Sequence, residues 1–225
     1  MNLLLLATAA FLLVHVGLAS TSLRSALVGT IGEGPYRGVF SVLSLAALVW
    51  MGFAYAGAPR EALWVAGPAL RAVPLVVMPV ALLGLVLGNS APSPAAMGPA
   101  ARGDDPEPAR GILRVTRHPG NLSIALWAAA HLAANGDAAS GVFFGGLLLL
   151  AAAGPALIDR RRRAGGDAAW ARFEAVTSVV PFAAILAGRN RFVPGELGWK
   201  RVAVALALYA ALIWVHPWLF GVRPY

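Results

Sequence analysis

The chain has 225 residues, of which 59% are hydrophobic and only 12% charged, with a mean hydropathy of +0.71. Soluble domains carry about one quarter charged residues, so this composition points to a polytopic membrane protein. There are no cysteines, which excludes disulfides, thiolate metal sites, iron–sulfur clusters and covalently attached c-type haem. The net charge is +8, but the basic residues sit in gaps between apolar segments. That pattern fits membrane topology. No basic stripe interleaved with aromatics appears, so nucleic acid is not an expected partner.

Segments of roughly 17–25 apolar residues can span the hydrocarbon core. Six candidates follow in chain order: Leu3–Ala19, Val39–Ala58, Val73–Leu87, Pro119–Ala134, Ala138–Ile158 and Val202–Phe220. The fold class expected is an all-α transmembrane bundle forming a single domain over residues 1–225. The first segment has no Lys or Arg before Arg24; it lacks the basic start of a signal peptide and reads as a helix of the bundle. The third begins near Leu63 or at Val73, with Pro68 and Pro74 as kinking residues. Between the third and fourth, Asn89–Gly111 is rich in Pro, Ala and Gly and reads as the longest loop.

Segments four and five are separated only by Asn135–Asp137, "NGD". Asn-Gly readily takes positive φ, so a tight helical hairpin is expected there. Asp159–Val176 is polar, with Trp170 and Phe173 three apart, and reads as a short interfacial helix. Val176–Gly188 is apolar but short, and reads as re-entrant or interfacial. With six spans, fifteen Lys and Arg fall on one side and three on the other. The positive-inside rule then puts both termini outside the cytoplasm, in a bacterial inner membrane. A seventh span at Val176–Gly188 would reduce the split to twelve and six. No internal repeat is evident.

With so few polar groups available, the histidines stand out: His15, His118, His131 and His216. Ionisable side chains inside a membrane are costly and tend to serve a function. Neutral imidazoles from facing helices suit haem iron. His118 and His131 are thirteen residues apart, about 20 Å by helical rise, and cannot share one metal ion. His131 and His216 should lie near the same end of their helices, whereas His15 lies toward the other end of helix one. His118, with Pro119 after it, suits a helix start, and with Arg117 it makes a basic corner. Glu33 is placed to pair with Arg24 or Arg37, either as an exposed ion pair or as a cluster that anchors an anionic group such as a haem propionate. Arg160–Arg163 reads as a topology signal in contact with anionic lipid. Walker A, dinucleotide-binding and G-x-S-x-G motifs are absent from the sequence.

Four blocks in the same order resemble the NnrU family of membrane proteins: "HVGLASTSLRSALVGTIGEGPYRGVFSVLSL", "GILRVTRHPGNLSIALWAAAHLAANGD", "VVPFAAILAGRNRF" and "WVHPWLFGVRP". The resemblance implies a link to denitrification and nitric oxide metabolism. A more distant resemblance, to plant zeta-carotene isomerase, implies haem b held by two histidines that match His15 and His131; His216, which fits His131 better by depth, is the rival ligand. Arg24, Glu33 and Arg37, together with Arg117 and His118, are then the candidate cofactor-binding residues. Ala128 stands where that enzyme has a cysteine linked to redox ligand exchange, and Gly34 replaces the arginine that usually follows the glutamate. The expected function is therefore a haem-binding membrane protein, with carotenoid cis–trans isomerase or non-catalytic accessory protein as alternatives. A small hydrophobic or gaseous ligand and the lipid bilayer are the expected partners. The Arg-His-Pro at Arg117–Pro119 followed by "GDAAWARF" also looks like the isoprenylcysteine methyltransferase type of membrane fold. Methyl transfer is the least supported reading, because Gly120 and Asn121 follow the proline where an aromatic is usual.

Overall fold

The computed structural model describes residues 1–19, 22–91, 93–95 and 107–224. Much of the expected loop Asn89–Gly111, and Ser20 at the end of the first segment, lie outside the described residues. All regular elements among the described residues are helical; the only strand-like feature there is an isolated bridge between Ala62 and Asp137. The first apolar segment is α1 (Asn2–Leu13), continued by a π-turn over Val14–Leu18. Then come α2 (Ser22–Ile31), α3 (Glu33–Ala56) and α4 (Pro68–Ser90). The short α5 (Ile112–Val115) precedes α6 (Pro119–Asn135), α7 (Ala138–Ala164) and α8 (Ala168–Val176). A single turn, α9 (Ala183–Leu186), and a 3₁₀ turn (Pro194–Leu197) lead into α10 (Trp199–Phe220).

The helix boundaries have local causes. Pro68 and Pro119 occupy first turns, where a missing N–H costs nothing. Pro74 and Pro79 lie inside α4. The expected hairpin is present: Gly136 takes φ 69°, and the Asp137 side chain caps α7 by accepting from the Ser140 N–H at 2.9 Å. The loop after α3 folds over it, with the Leu63 and Trp64 N–H groups donating to Gly136 O.

Helices α3, α4, α7 and α10 are long and apolar enough to cross a bilayer; α1 with α2 would make a fifth if that pair, whose axes are 70° apart, counts as one broken span. The remaining expected span, α6, has 17 residues. Four to five crossings are thus supported by length and composition, against the six expected. The apolar side chains left outside the bundle fit a lipid environment: Val42 on α3 is 67% exposed, Phe53 76%, and Trp214 and Trp218 on α10 69% each. Val176–Gly188 forms turns and the short α9 rather than a spanning helix.

Packing runs laterally. α10 lies on α4, α4 on α6, α6 on α7, α7 on α1 and α1 on α3. Without a hydrophobic drive between helices in lipid, close approach depends on small residues. Gly84 and Gly88, four apart on α4, face α6: a Cβ on Gly84 would lie 2.5 Å from Ser123 Oγ, and one on Gly88 2.7 Å from Pro119 Cγ. Gly146 on α7 lets in Thr8, and Gly154 lets in Asn121. The main core joins Leu4, Ala7 and Phe11 of α1 to Met51, Ala128, Phe144 and Leu147.

A second, smaller core lies under α8. Trp170 and Phe173 are 1% and 0% exposed, packed with Ala109 and Leu113. The helix turns its aromatic pair inward because α5 and the residues before it fold beneath it.

Candidate functional site

The π-turn at Val14–Leu18 carries His15; such bulges within α-helices recur at functional sites. His15 Nδ1 donates to Phe11 O at 2.9 Å. A carbonyl can only accept, so Nδ1 holds the proton, and in the neutral ring Nε2 keeps its lone pair. The imidazole packs against Phe11 and Phe40, at centroid distances of 4.2 and 5.5 Å. Tyr36 steadies the turn from α3, its hydroxyl donating to Leu18 O at 2.6 Å.

His15 lines a cavity of about 250 Å³ between α1, α3, α6 and α7. Its walls are mostly apolar, including Phe40, Ile124, Leu147 and Leu150, with Asn121 and Arg161 as the polar contributions from α6 and α7. Arg161 Nη1 donates to Ala19 O at 2.6 Å. Close by, Glu33 accepts from both Arg24 (2.8 and 2.9 Å) and Arg37 (3.0 Å). The expected cluster of Arg24, Glu33 and Arg37 is therefore assembled, at the α2–α3 junction, and Arg24 also sits over the Tyr36 ring at 5.2 Å.

His131 is elsewhere. Its Nδ1 donates to Trp127 O at 2.8 Å, and its ring stacks on Phe144 at 5.3 Å. Thr8 abuts Gly146, and α1 and α7 run the same way, as the contact of Ala19 with Arg161 shows. His15 is seven residues beyond Thr8, and Phe144 two residues before Gly146. Helical rise then separates His15 from the level of Phe144, on which His131 stacks, by about 13 Å along the bundle. His131 is not on the wall of the His15 cavity. A porphyrin gripped from both faces would have to lie between these two imidazoles, whereas the His15 cavity is lined by His15 alone of the two. His131 instead lies within electrostatic reach of His216, whose Nδ1 donates to Val222 O at 2.8 Å. Among the described residues no group of three or more His, Asp or Glu side chains is placed to hold a metal ion.

The basic corner at Arg117 and His118 is a buried ionic knot. His118 Nε2 lies 2.6 Å from Asp159 Oδ1, with side chains only 3% and 4% exposed. Arg117 approaches Asp159 Oδ2 at 3.3 Å and Glu174 Oε1 at 3.5 Å, and Glu174 in turn pairs with Arg163. Burial pushes the His118 imidazole below the usual histidine range, against the pull of Asp159. The neutral ring thus donates Nε2–H to the carboxylate. The arginine run is not only a lipid-facing signal: Arg161 reaches Ala19, and Arg163 reaches Glu174.

A second knot was not anticipated from the sequence. Arg114, 5% exposed, donates to both Glu196 oxygens at 2.8 Å, to Asn190 at 2.9 Å and to Glu107 at 3.1 Å. Gly111 N–H adds a further bond to Glu196 at 2.7 Å. The Arg114 guanidinium holds the Glu196 carboxyl down at about 2.

The NnrU protein family matches residues 3–224. The chain belongs to the NnrU family. No curated protein and no solved structure matches it. The matched residues include both knots and the His15 cavity.

Proposed function

We propose that this NnrU-family membrane protein holds an amphipathic, membrane-soluble ligand in the cavity between α1, α3, α6 and α7, with haem b bound through His15 as the leading candidate. The observation that carries this reading is the His15 imidazole on an apolar cavity wall, with its Nδ1 tied to a carbonyl. A hydrogen bond of that kind fixes the tautomer of metal-ligating histidines and leaves Nε2 as the donor atom. The residues fit a haem held from one face. Bound there, haem would supply redox chemistry or a binding position for a small gas such as nitric oxide, consistent with the metabolism the family resemblance implies. His15 would hold the iron, Phe11 and Phe40 would keep water from the imidazole, and the apolar wall would take the porphyrin edge. The cavity is somewhat smaller than the ~300–1,000 Å³ typical of ligand sites, and Ile124 on its wall is 40% exposed, so a large ring would extend toward lipid.

The test is an absorption spectrum of the full chain purified after expression with ample haem. A Soret band that disappears in His15→Ala and survives in His131→Ala is expected. Loss in both variants would return the ligand set to the His15–His131 pair. A colourless wild-type protein would reject haem and favour an accessory role in which the histidines pack helices.

A further inference from the structure

Arg161 is the charged group on an otherwise largely apolar wall. Among the described residues no carboxylate forms an ion pair with it; its one hydrogen bond is to the uncharged Ala19 carbonyl. The nearest carboxylate cluster is already committed, because Glu33 is shared by Arg24 and Arg37. Glu33 is thus shared by two arginines already, Asp159 is engaged by Arg117 and His118, and Arg161 is left with a neutral hydrogen-bond partner. Glu33 acts on Arg161 only from a distance; a half-buried guanidinium without a directly paired counter-charge is costly in a low-dielectric setting, and an anion that reaches it recovers much of that cost. Arg presents a planar fork that matches a carboxylate or phosphate with two parallel bonds.

We infer that the cavity selects an anionic amphiphile, whose carboxylate or phosphate pairs with Arg161 while its apolar body lies against Phe40, Leu147 and Leu150 beside His15. The inference rests on the cavity being a ligand site, as proposed above, and adds the charge of the ligand. Haem, with its propionates, satisfies it. A neutral hydrocarbon such as a carotenoid leaves Arg161 without a counter-charge.

The experiment compares haemin with its dimethyl ester, titrated by absorbance into the full chain in phosphatidylcholine nanodiscs. Wild-type protein should bind the diacid at least about tenfold more tightly than the diester, as expected for a charge-assisted pair. Arg161→Gln should lower diacid affinity to the diester level without moving the Soret maximum, since His15 is retained, and Arg161→Lys should recover part of the loss. Equal affinities for diacid and diester in the wild type, which needs no variant to fold, would overturn the inference, as would a preference that survives Arg161→Gln. If neither porphyrin binds, the haem reading fails by itself. The charge inference is then read from fluorescent cis-parinaric acid against its methyl ester: a preference for the acid that depends on Arg161 sustains it, and no preference ends it. Repeating the titration with phosphatidylglycerol in the nanodisc separates the sources of anion. Diacid binding that persists supports a cavity ligand, whereas diacid binding abolished by that lipid assigns Arg161 to headgroups and overturns the inference.

Discussion

His118 and Asp159 are forty-one residues apart in sequence, yet His118 Nε2 and Asp159 Oδ1 lie 2.6 Å apart in a buried pocket that joins the start of α6 to the end of α7. Arg117 and Glu174 extend the contact to α8. The knot fixes the relative placement of three elements at the end of the bundle where Asn121, Ile158 and Arg161 line the His15 cavity.

Removing one member of such a knot leaves the others buried with unmatched charge. Asp159→Ala is therefore expected to destabilise by about 3–5 kcal/mol, read as a lowered unfolding temperature of the detergent-solubilised protein. His118→Gln keeps a donor at a similar reach and should cost about 1 kcal/mol. Because the folded His118 is held below the unfolded histidine value of 6.5, the unfolded chain takes up the extra proton. Stability from this group is present above 6.5 and falls as pH drops below it. The wild type should lose stability through that window more steeply than His118→Gln.

Glu196 and Arg114 make a second acid-sensitive link. The Glu196 carboxyl drops from 4.5 to about 2 on folding, so its contribution is complete above about 4.5 and disappears as pH falls toward 2. Glu196→Gln should lower stability at neutral pH by roughly 1–3 kcal/mol and flatten the acid limb of the profile. Glu107 still contacts Arg114 in that variant, which keeps the loss below that of an isolated buried pair.

Tyr36 supports the π-turn that presents His15. Tyr36→Phe removes the 2.6 Å bond to Leu18 O and should cost about 1 kcal/mol. If His15 ligates haem, the same variant should broaden or shift the Soret band while leaving the fold intact by circular dichroism. An unchanged spectrum would show that the turn holds its shape without the hydroxyl.

The sequence made some of these features legible and hid others, for physical reasons. Local signals worked: Pro119 opened α6, Asn135–Asp137 closed it, and Asp137 capped α7. The pairing of Glu33 with Arg24 and Arg37 was also accessible, since all three lie within fourteen residues. Contacts over longer separations were not. Nothing in the spacing of Arg114 and Glu196, or of His118 and Asp159, announces that they meet. Trp170 and Phe173 marked one face of α8, but helical spacing does not say which partner covers a face. The relative depth of His15 and His131 was not legible either: it depends on where each helix starts relative to the others, which the packing of Thr8 on Gly146 sets.

The α4–α6 contact gives a test of packing that is independent of any ligand. Gly84 and Gly88 present a flat strip to Ser123 and Pro119, and Gly88 has no room for a side chain because Pro119 Cγ would meet a Cβ at 2.7 Å. Pro119 is rigid and sits at the first turn of α6, directly after the His118 knot, so it cannot move aside cheaply. Overpacked cores typically lose about 1–3 kcal/mol. Gly88→Leu should reach the upper part of that range, whereas Gly84→Ala should cost less, since the Ser123 hydroxyl it meets can rotate away. Gly145, where an added Cβ meets nothing within 4 Å, is the control: Gly145→Ala should leave the unfolding temperature unchanged or raise it slightly, because alanine favours the helix. Equal melting behaviour in the Gly88 and Gly145 variants would mean that α4 and α6 are not held in this close contact.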